Sequence, residues 1–186
     1  ETIIFFLGDH GFGMPRYKRW LYQTGLHVPL LVTIPEQYRH LLVNQPGDTS
    51  EQLISFVDLP ATALNLAGLK IPETMEGQPF LGLDLPRERN FVYAARDRAD
   101  DMFEMSRAVL NDRYIYIRHY MPHLPYIQSG YIYSDVKFGF RTLREARNQG
   151  ALNEEQQKLW NPKPIEELYD LQSDPQELNN ISDNAD

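Results

Sequence analysis

Residues 2–12 read TIIFFLGDHGF, a run of apolar, β-branched and aromatic side chains stopped by Gly8 and followed at once by Asp9 and His10. A short apolar run bounded by glycine reads as a strand covered on both faces, the kind a parallel sheet under helical layers requires. Residues 8–17 (GDHGFGMPRY) are rich in glycine and carry Pro15, so they form a loop at the C-terminal end of that strand. In open α/β sheets, ligands bind at that edge. Residues 28–34 (VPLLVTI) give a second apolar run, and Pro29 near its start fits only a strand beginning or an edge.

Further along, Leu53, Ile54, Val57, Leu64 and Leu66 recur at roughly helical spacing and Gly68 closes the pattern. They predict a helix over 49–69, bent or divided at Pro60. Residues 70–90 are rich in Pro, Gly and charge and read as a surface connector. The pattern then changes to short β-prone runs at 91–96, 106–110 and 114–119, with Asn111-Asp112 as a tight turn between the last two, which is a hairpin signature. Residues 122–133 form an aromatic-rich loop, 135–159 a helical stretch interrupted at Asn148-Gln149-Gly150, and 167–171 (ELYDL) a last strand. The expected class is α/β. Residues 1–88 form the C-terminal edge of a doubly covered sheet, and 89–186 a small antiparallel α+β subdomain with a packed helix.

The chain has 186 residues, 42% of them hydrophobic and 24% charged, which is globular composition. Its net charge of −8 argues against a nucleic-acid partner, which needs a basic stripe for phosphate contact. An anionic substrate remains compatible, because a few local cations or a metal outweigh the overall field. There is no cysteine, so disulfides and thiolate metal sites are excluded. No apolar run approaches the roughly 20 residues of a membrane span. Glu1-Thr2 leads straight into a strand-like segment without a signal pattern, so a fragment of a longer chain is expected.

At the strand tip, Asp9 can offer a carboxylate to a divalent cation, and His10 can ligate a metal or hydrogen-bond an anionic oxygen. The same pair also fits a turn aspartate and a surface histidine. Lys18 follows after Pro15, with Arg16 and Arg19 flanking it. Such a cluster is either a solvated surface or, if Lys18 faces the metal, a compact positive charge for an oxyanion held there.

The string GDHGFGMPRYKRWLYQTGLHVPLLV (8–32) resembles the sulfatase family, whose members share DHG or DNG after an apolar strand, then a Lys or Arg, then VPL. SFVDLPATALNLAG (55–68) resembles the family's next helix and ELYDLQSDPQELNNI (167–181) its closing motif. MPRYKRWLY and RHYMPHLPY point to the N-sulfoglucosamine sulfohydrolase-like branch. The resemblance implies the C-terminal edge of an alkaline-phosphatase-like sheet. It also implies that Asp9 and His10 ligate one divalent cation, usually calcium, completed by ligands outside this chain. Lys18 would grip the sulfate and stabilise its developing charge. The family's nucleophile is a formylglycine made in a C/S-x-P-x-R motif, and this chain has none. It is therefore expected in an N-terminal portion of the same sulfatase, and this segment alone is expected to be inactive. A periplasmic, secreted or lysosomal location would follow from the same resemblance.

Sulfated carbohydrate is the substrate class so implied. Candidate contacts are Arg96, Asp97, Arg98 and Asp101 in ARDRADDMFEMSR, which could read sugar hydroxyls and carboxylates or form a surface ion-pair network. His119 and His123, with Tyr120 and Tyr126, could line a stacking wall or pack in a core, and His27 could line the site or make a structural hydrogen bond. Two other functions fit less of the sequence: a phosphodiesterase or phosphonate hydrolase of the alkaline phosphatase superfamily, and a non-catalytic binding module derived from a sulfatase.

Overall fold

The computed structural model describes residues 2–99, 102–128 and 136–184. The chain forms two compact units, one made of residues 2–7 with Leu30–Val92, the other of Gly8–Pro29 with Tyr93 onward.

In the first unit, β1 (Ile4–Leu7) pairs antiparallel with β2 (Leu30–Thr33), Ile4 opposite Thr33 and Leu7 opposite Leu30. The sequence predicts a parallel strand covered on both faces; the partner β1 has within this chain is antiparallel. The run is apolar at every position, yet Phe6 (68% exposed) and Leu31 (57%) lie open while their neighbours are half-buried. Apolar composition alone does not report which face of a strand is covered. The helix predicted over 49–69 is shorter, α2 (Asp58–Leu66). Pro60 neither bends nor divides it, because it sits in the first turn, where its missing N–H has no partner to lose. Ahead of the helix, the Asp58 carboxylate accepts from Ser55 N at 2.7 Å and closes a turn there. Ala61, Thr62, Phe80 and Leu81 are buried in this unit, with Thr62 Oγ1 accepting from Phe80 N.

The second unit is built on a four-stranded antiparallel sheet of β3 (Val92–Ala99), β4 (Met102–Leu110), β5 (Tyr114–His119) and β6 (Glu166–Asp170), in that order. Asn111 Oδ1 accepts from Arg113 N and Tyr114 N, closing the predicted β4–β5 turn. Strand β4 begins four residues earlier than the sequence reading, and its alternation turns Met102, Glu104, Ser106, Ala108 and Leu110 inward. Those residues, with Ile115, Ile117, His119, Glu167 and Tyr169, form the buried face. Between β5 and β6 lie helix α3 (Phe138–Asn148) and the short α4 (Glu154–Lys158), separated at Gly150, whose φ of +67° matches the predicted interruption. Among the described residues, no helix is long and apolar enough to cross a membrane.

Candidate functional site

The 8–29 loop contains α1 (Gln23–Leu26) and is closed at its neck by Gly8 N donating to Pro29 O at 3.0 Å. Two glycines let it fold back on itself. Gly11 N donates to Gly25 O, and a Cβ at Gly11 would stand 2.0 Å from Thr24 O. A Cβ at Gly25 would stand 2.4 Å from both the Trp20 and Tyr17 carbonyls. Only glycine permits this approach of backbone to backbone.

At the loop's start, Asp9 and His10 come together, with His10 Nε2 3.5 Å from Asp9 Oδ2 and both side chains reaching solvent. His10 Nδ1 lies 2.8 Å from Gly11 O, and a carbonyl can only accept, so Nδ1 carries the hydrogen. In neutral imidazole this leaves the Nε2 lone pair on the side of the Asp9 carboxylate. Two electron-rich groups facing each other across that gap suit a shared cation, and the backbone-held tautomer is how metal-ligating histidines are commonly oriented. Among the described residues, no cluster of three or more Asp, Glu or His assembles to hold a metal, so Asp9 and His10 offer a pair and not a complete site.

Lys18 is half-buried on the same loop, brought back toward its beginning by Lys18 N donating to Phe12 O at 3.0 Å. Arg16 and Arg19, on either side of it, occupy left-handed backbone with φ of +67° and +76°. Non-glycine residues persist there only when their surroundings enforce it. Lys18, Arg19, Trp20, Arg96 and Tyr126 line a common recess no larger than about one water molecule. Trp20 and Tyr126 stack at 5.3 Å beneath it. The Arg96 guanidinium lies 5.6 Å from the Trp20 ring and its Nε is buried without a hydrogen-bond partner. Burial lowers the Arg96 pKa from its ordinary value, against the opposing charge of Glu104.

The other candidate contacts fall in different places. His27 is exposed at the end of α1 and lies 3.1 Å from Gln23 Oε1. Asp97 and Arg98 are both exposed on β3, Asp97 paired with Arg107 at 2.6 Å and Arg98 stacked on Phe103 at 5.0 Å. His123 is exposed, and Asp101 lies outside the described residues. His119 is buried, with Nδ1 2.8 Å from Ser106 Oγ and Nε2 2.6 Å from Glu167 Oε1. Both ring nitrogens are thus engaged inside the unit.

Sequence reasoning missed the network around His119. Glu104 joins buried Lys163 at 2.5 Å and accepts from Ser106, and Ser106 leads through His119 to Glu167. Glu167 also accepts from the hydroxyls of Tyr22, Tyr126 and Tyr169. Burial pushes the Tyr22 hydroxyl well above its ordinary pKa, with the Glu167 charge acting in the same direction. The one available signal was the strand register that turns Glu104 and Ser106 inward beside Met102.

The family described as N-sulphoglucosamine sulphohydrolase, C-terminal, matches residues 8–126, more than half of the chain. An ulvan-active sulfatase of Formosa agariphila is 41% identical over 189 residues, covering 99% of this chain and 30% of the relative. An N-acetylglucosamine-6-sulfatase of Bos taurus is 28% identical over 203 residues, covering 100% of this chain and 32% of the relative. Among solved structures, a 2-O GAG sulfatase aligns with a TM-score of 0.62 at 20% identity, covering 97% of this chain and 32% of its own. A protein solved in complex with its substrate D-Glucosamine-2-N, 6-O-disulfate aligns with a TM-score of 0.61 at 20% identity, covering 97% of this chain and 30% of its own. At that identity the structures speak for the fold. The chain spans about 30% of the length of the ulvan-active relative. With its loop and most of its sheet inside the matched span, this chain belongs to the N-sulphoglucosamine sulphohydrolase C-terminal family, the C-terminal region of the sulfatases.

Proposed function

We propose that this chain is the C-terminal part of a sulfatase that hydrolyses sulfate esters or N-sulfo groups of sulfated sugars. The observation carrying this reading is the pairing of Asp9 with His10 at 3.5 Å at the start of a loop whose main chain turns back at Lys18 N–Phe12 O, inside the family match, while the Lys18 side chain lines a recess with Trp20 and Arg96. Asp9 and His10 would take one divalent cation, calcium by preference of the carboxylate, with further ligands from an N-terminal portion that also brings the formylglycine. The bound cation would neutralise sulfate oxygens. Lys18 would supply a compact charge to the same anion, where a preorganised cation acts on charge that develops in the transition state. Arg96, which lines the same recess as Lys18, would hold a further anionic or hydroxyl group of the sugar. The exposed apolar side chains of β1 and β2 give the N-terminal portion a surface to cover.

The test is the full-length enzyme, matured to formylglycine and screened on sulfated mono- and disaccharides. Turnover should depend on calcium, and Lys18→Ala should depress kcat/KM by ~10²-fold or more with the fold intact. Near wild-type rates would remove Lys18 from the site, and two zinc ions in place of calcium would move the enzyme toward phosphoester substrates.

A further inference from the structure

The segment bearing Lys18 is tied at both ends to the residues that follow β6. At its start, Arg16 Nη2 donates to Glu177 O at 2.7 Å and to Gln176 O at 3.2 Å. At its end, Gln23 N donates to Glu177 Oε1 and Oε2, each at 3.1 Å. The two ties are reciprocal, since Arg16 binds the main chain of residue 177 and the side chain of residue 177 binds the main chain of residue 23. The Arg16 guanidinium also lies over the Tyr22 ring at 4.1 Å, and the Thr24 hydroxyl donates to Arg16 O. Glu177 is buried and, like Arg16 and Arg19, sits in left-handed backbone, with φ of +54°. Non-glycine residues persist in left-handed backbone only where their surroundings enforce it, and the bonds between Arg16 and residue 177 do so for these two.

We propose that Glu177 and Arg16 are positioning residues for Lys18: by clamping residues 16 and 23 they fix the backbone turn from which the Lys18 ammonium is presented to the anion. This rests on the reading of Lys18 given above. It gives the closing DPQE segment (174–177) a part in the chemistry although it is distant in sequence from Lys18. The part Glu177 plays is that of an acceptor for Gln23 N–H, a task that glutamine can also perform and alanine cannot.

The experiment has two arms. In the full-length enzyme, amide hydrogen exchange over 16–24 should accelerate at least ~10-fold in Glu177→Ala and in Arg16→Ala, and stay near wild type in Glu177→Gln. In the full-length enzyme, Glu177→Ala should lower kcat/KM by ~10–10²-fold, the scale of a displaced catalytic group, with Glu177→Gln restoring most of it. In a Lys18→Ala background the same Glu177→Ala change should have little further effect, because its action passes through Lys18. Unchanged exchange in both alanine variants overturns the clasp. A Glu177→Ala loss that persists in full without Lys18 overturns the positioning role. If Lys18→Ala alone leaves turnover intact, the catalytic reading of Lys18 fails, while the exchange arm still decides whether the clasp exists. Should Glu177→Ala not fold, Arg16→Ala carries both arms.

Discussion

The Tyr22 hydroxyl donates to Glu167 Oε2 at 2.9 Å, joining the loop that carries Lys18 to the last strand of the sheet. Glu167 is fully buried, yet its pKa lies below the ordinary carboxylate value. Burial works to raise it, and the His119 hydrogen bond and charge, with the Tyr126 and Tyr169 hydroxyls, outweigh that. A carboxylate so surrounded holds its neighbours in place, and removing it leaves their donors buried and unsatisfied. Glu167→Ala should cost about 3–5 kcal/mol in denaturant unfolding, the range for breaking a buried charged network. A loss under about 1 kcal/mol would show that water takes over the role of Glu167.

The Lys18 loop depends on a backbone approach as well as on charge. Gly25→Ala would place a methyl 2.4 Å from two carbonyl oxygens, so the backbone must move. Overpacking of this kind costs about 1–3 kcal/mol. The expected result is a lowered melting temperature with faster amide exchange concentrated in 8–29, and an unchanged melting temperature would mean the loop accommodates the methyl by shifting as a whole.

The DHG string, the Lys18 loop and the closing motif were legible because each needs particular residue types at short spacing. Which residues those motifs touch was not. Glu177 meets Gln23 across a long stretch of sequence, and nothing in DPQE announces that its carboxyl points inward. His119 carried a substrate reading and a core reading in the sequence, and its burial between Ser106 and Glu167 is decided by the register of β4 and β5, where Ser106 faces His119. The helix over 49–69 was overdrawn because its apolar spacing continues ahead of Asp58, while the Ser55–Asp58 turn ends it.

Two carboxylates on candidate-length motifs differ in what they should do when removed. Asp58 is buried and accepts from Ser55 N, from Gln78 N at 2.8 Å and from Arg89 at 2.6 Å. Asp97 meets Arg107 with both side chains open to solvent. Asp58→Ala should therefore destabilise by about 3–5 kcal/mol, whereas Asp97→Ala should change stability by no more than about 1 kcal/mol. If the exposed side of β3 reads the sugar, Asp97→Ala raises KM in the full-length enzyme with kcat retained. Equal KM for both proteins would assign Asp97 to the surface ion pair alone.

Glu177 and Glu167 should pull the pH dependence of stability in opposite directions. Burial raises the Glu177 carboxyl to about 7 from an ordinary value of 4.5, against the lowering effects of the Gln23 amide and the Arg16 charge, while Glu167 and Asp174 add to the rise. Between those two pH values the folded chain holds a proton that the unfolded chain has released, so unfolding free energy falls as pH rises. The fall stops above about pH 7, where both states are ionised. Its size is on the order of 3 kcal/mol from the shift, at about 1.4 kcal/mol per unit. Glu167 acts the other way, since its depressed pKa gives stability that is present above the ordinary carboxylate range and lost as pH falls through it. Glu177→Gln isolates the first effect, because it keeps the acceptor for Gln23 N–H and removes the titration. Unfolding measured from pH 4.5 to 8 should show the wild-type curve declining relative to Glu177→Gln up to about pH 7 and running parallel beyond it. Parallel curves over the whole range would mean that the buried carboxyl is ionised at no cost, with the Arg16 guanidinium neutralising it fully.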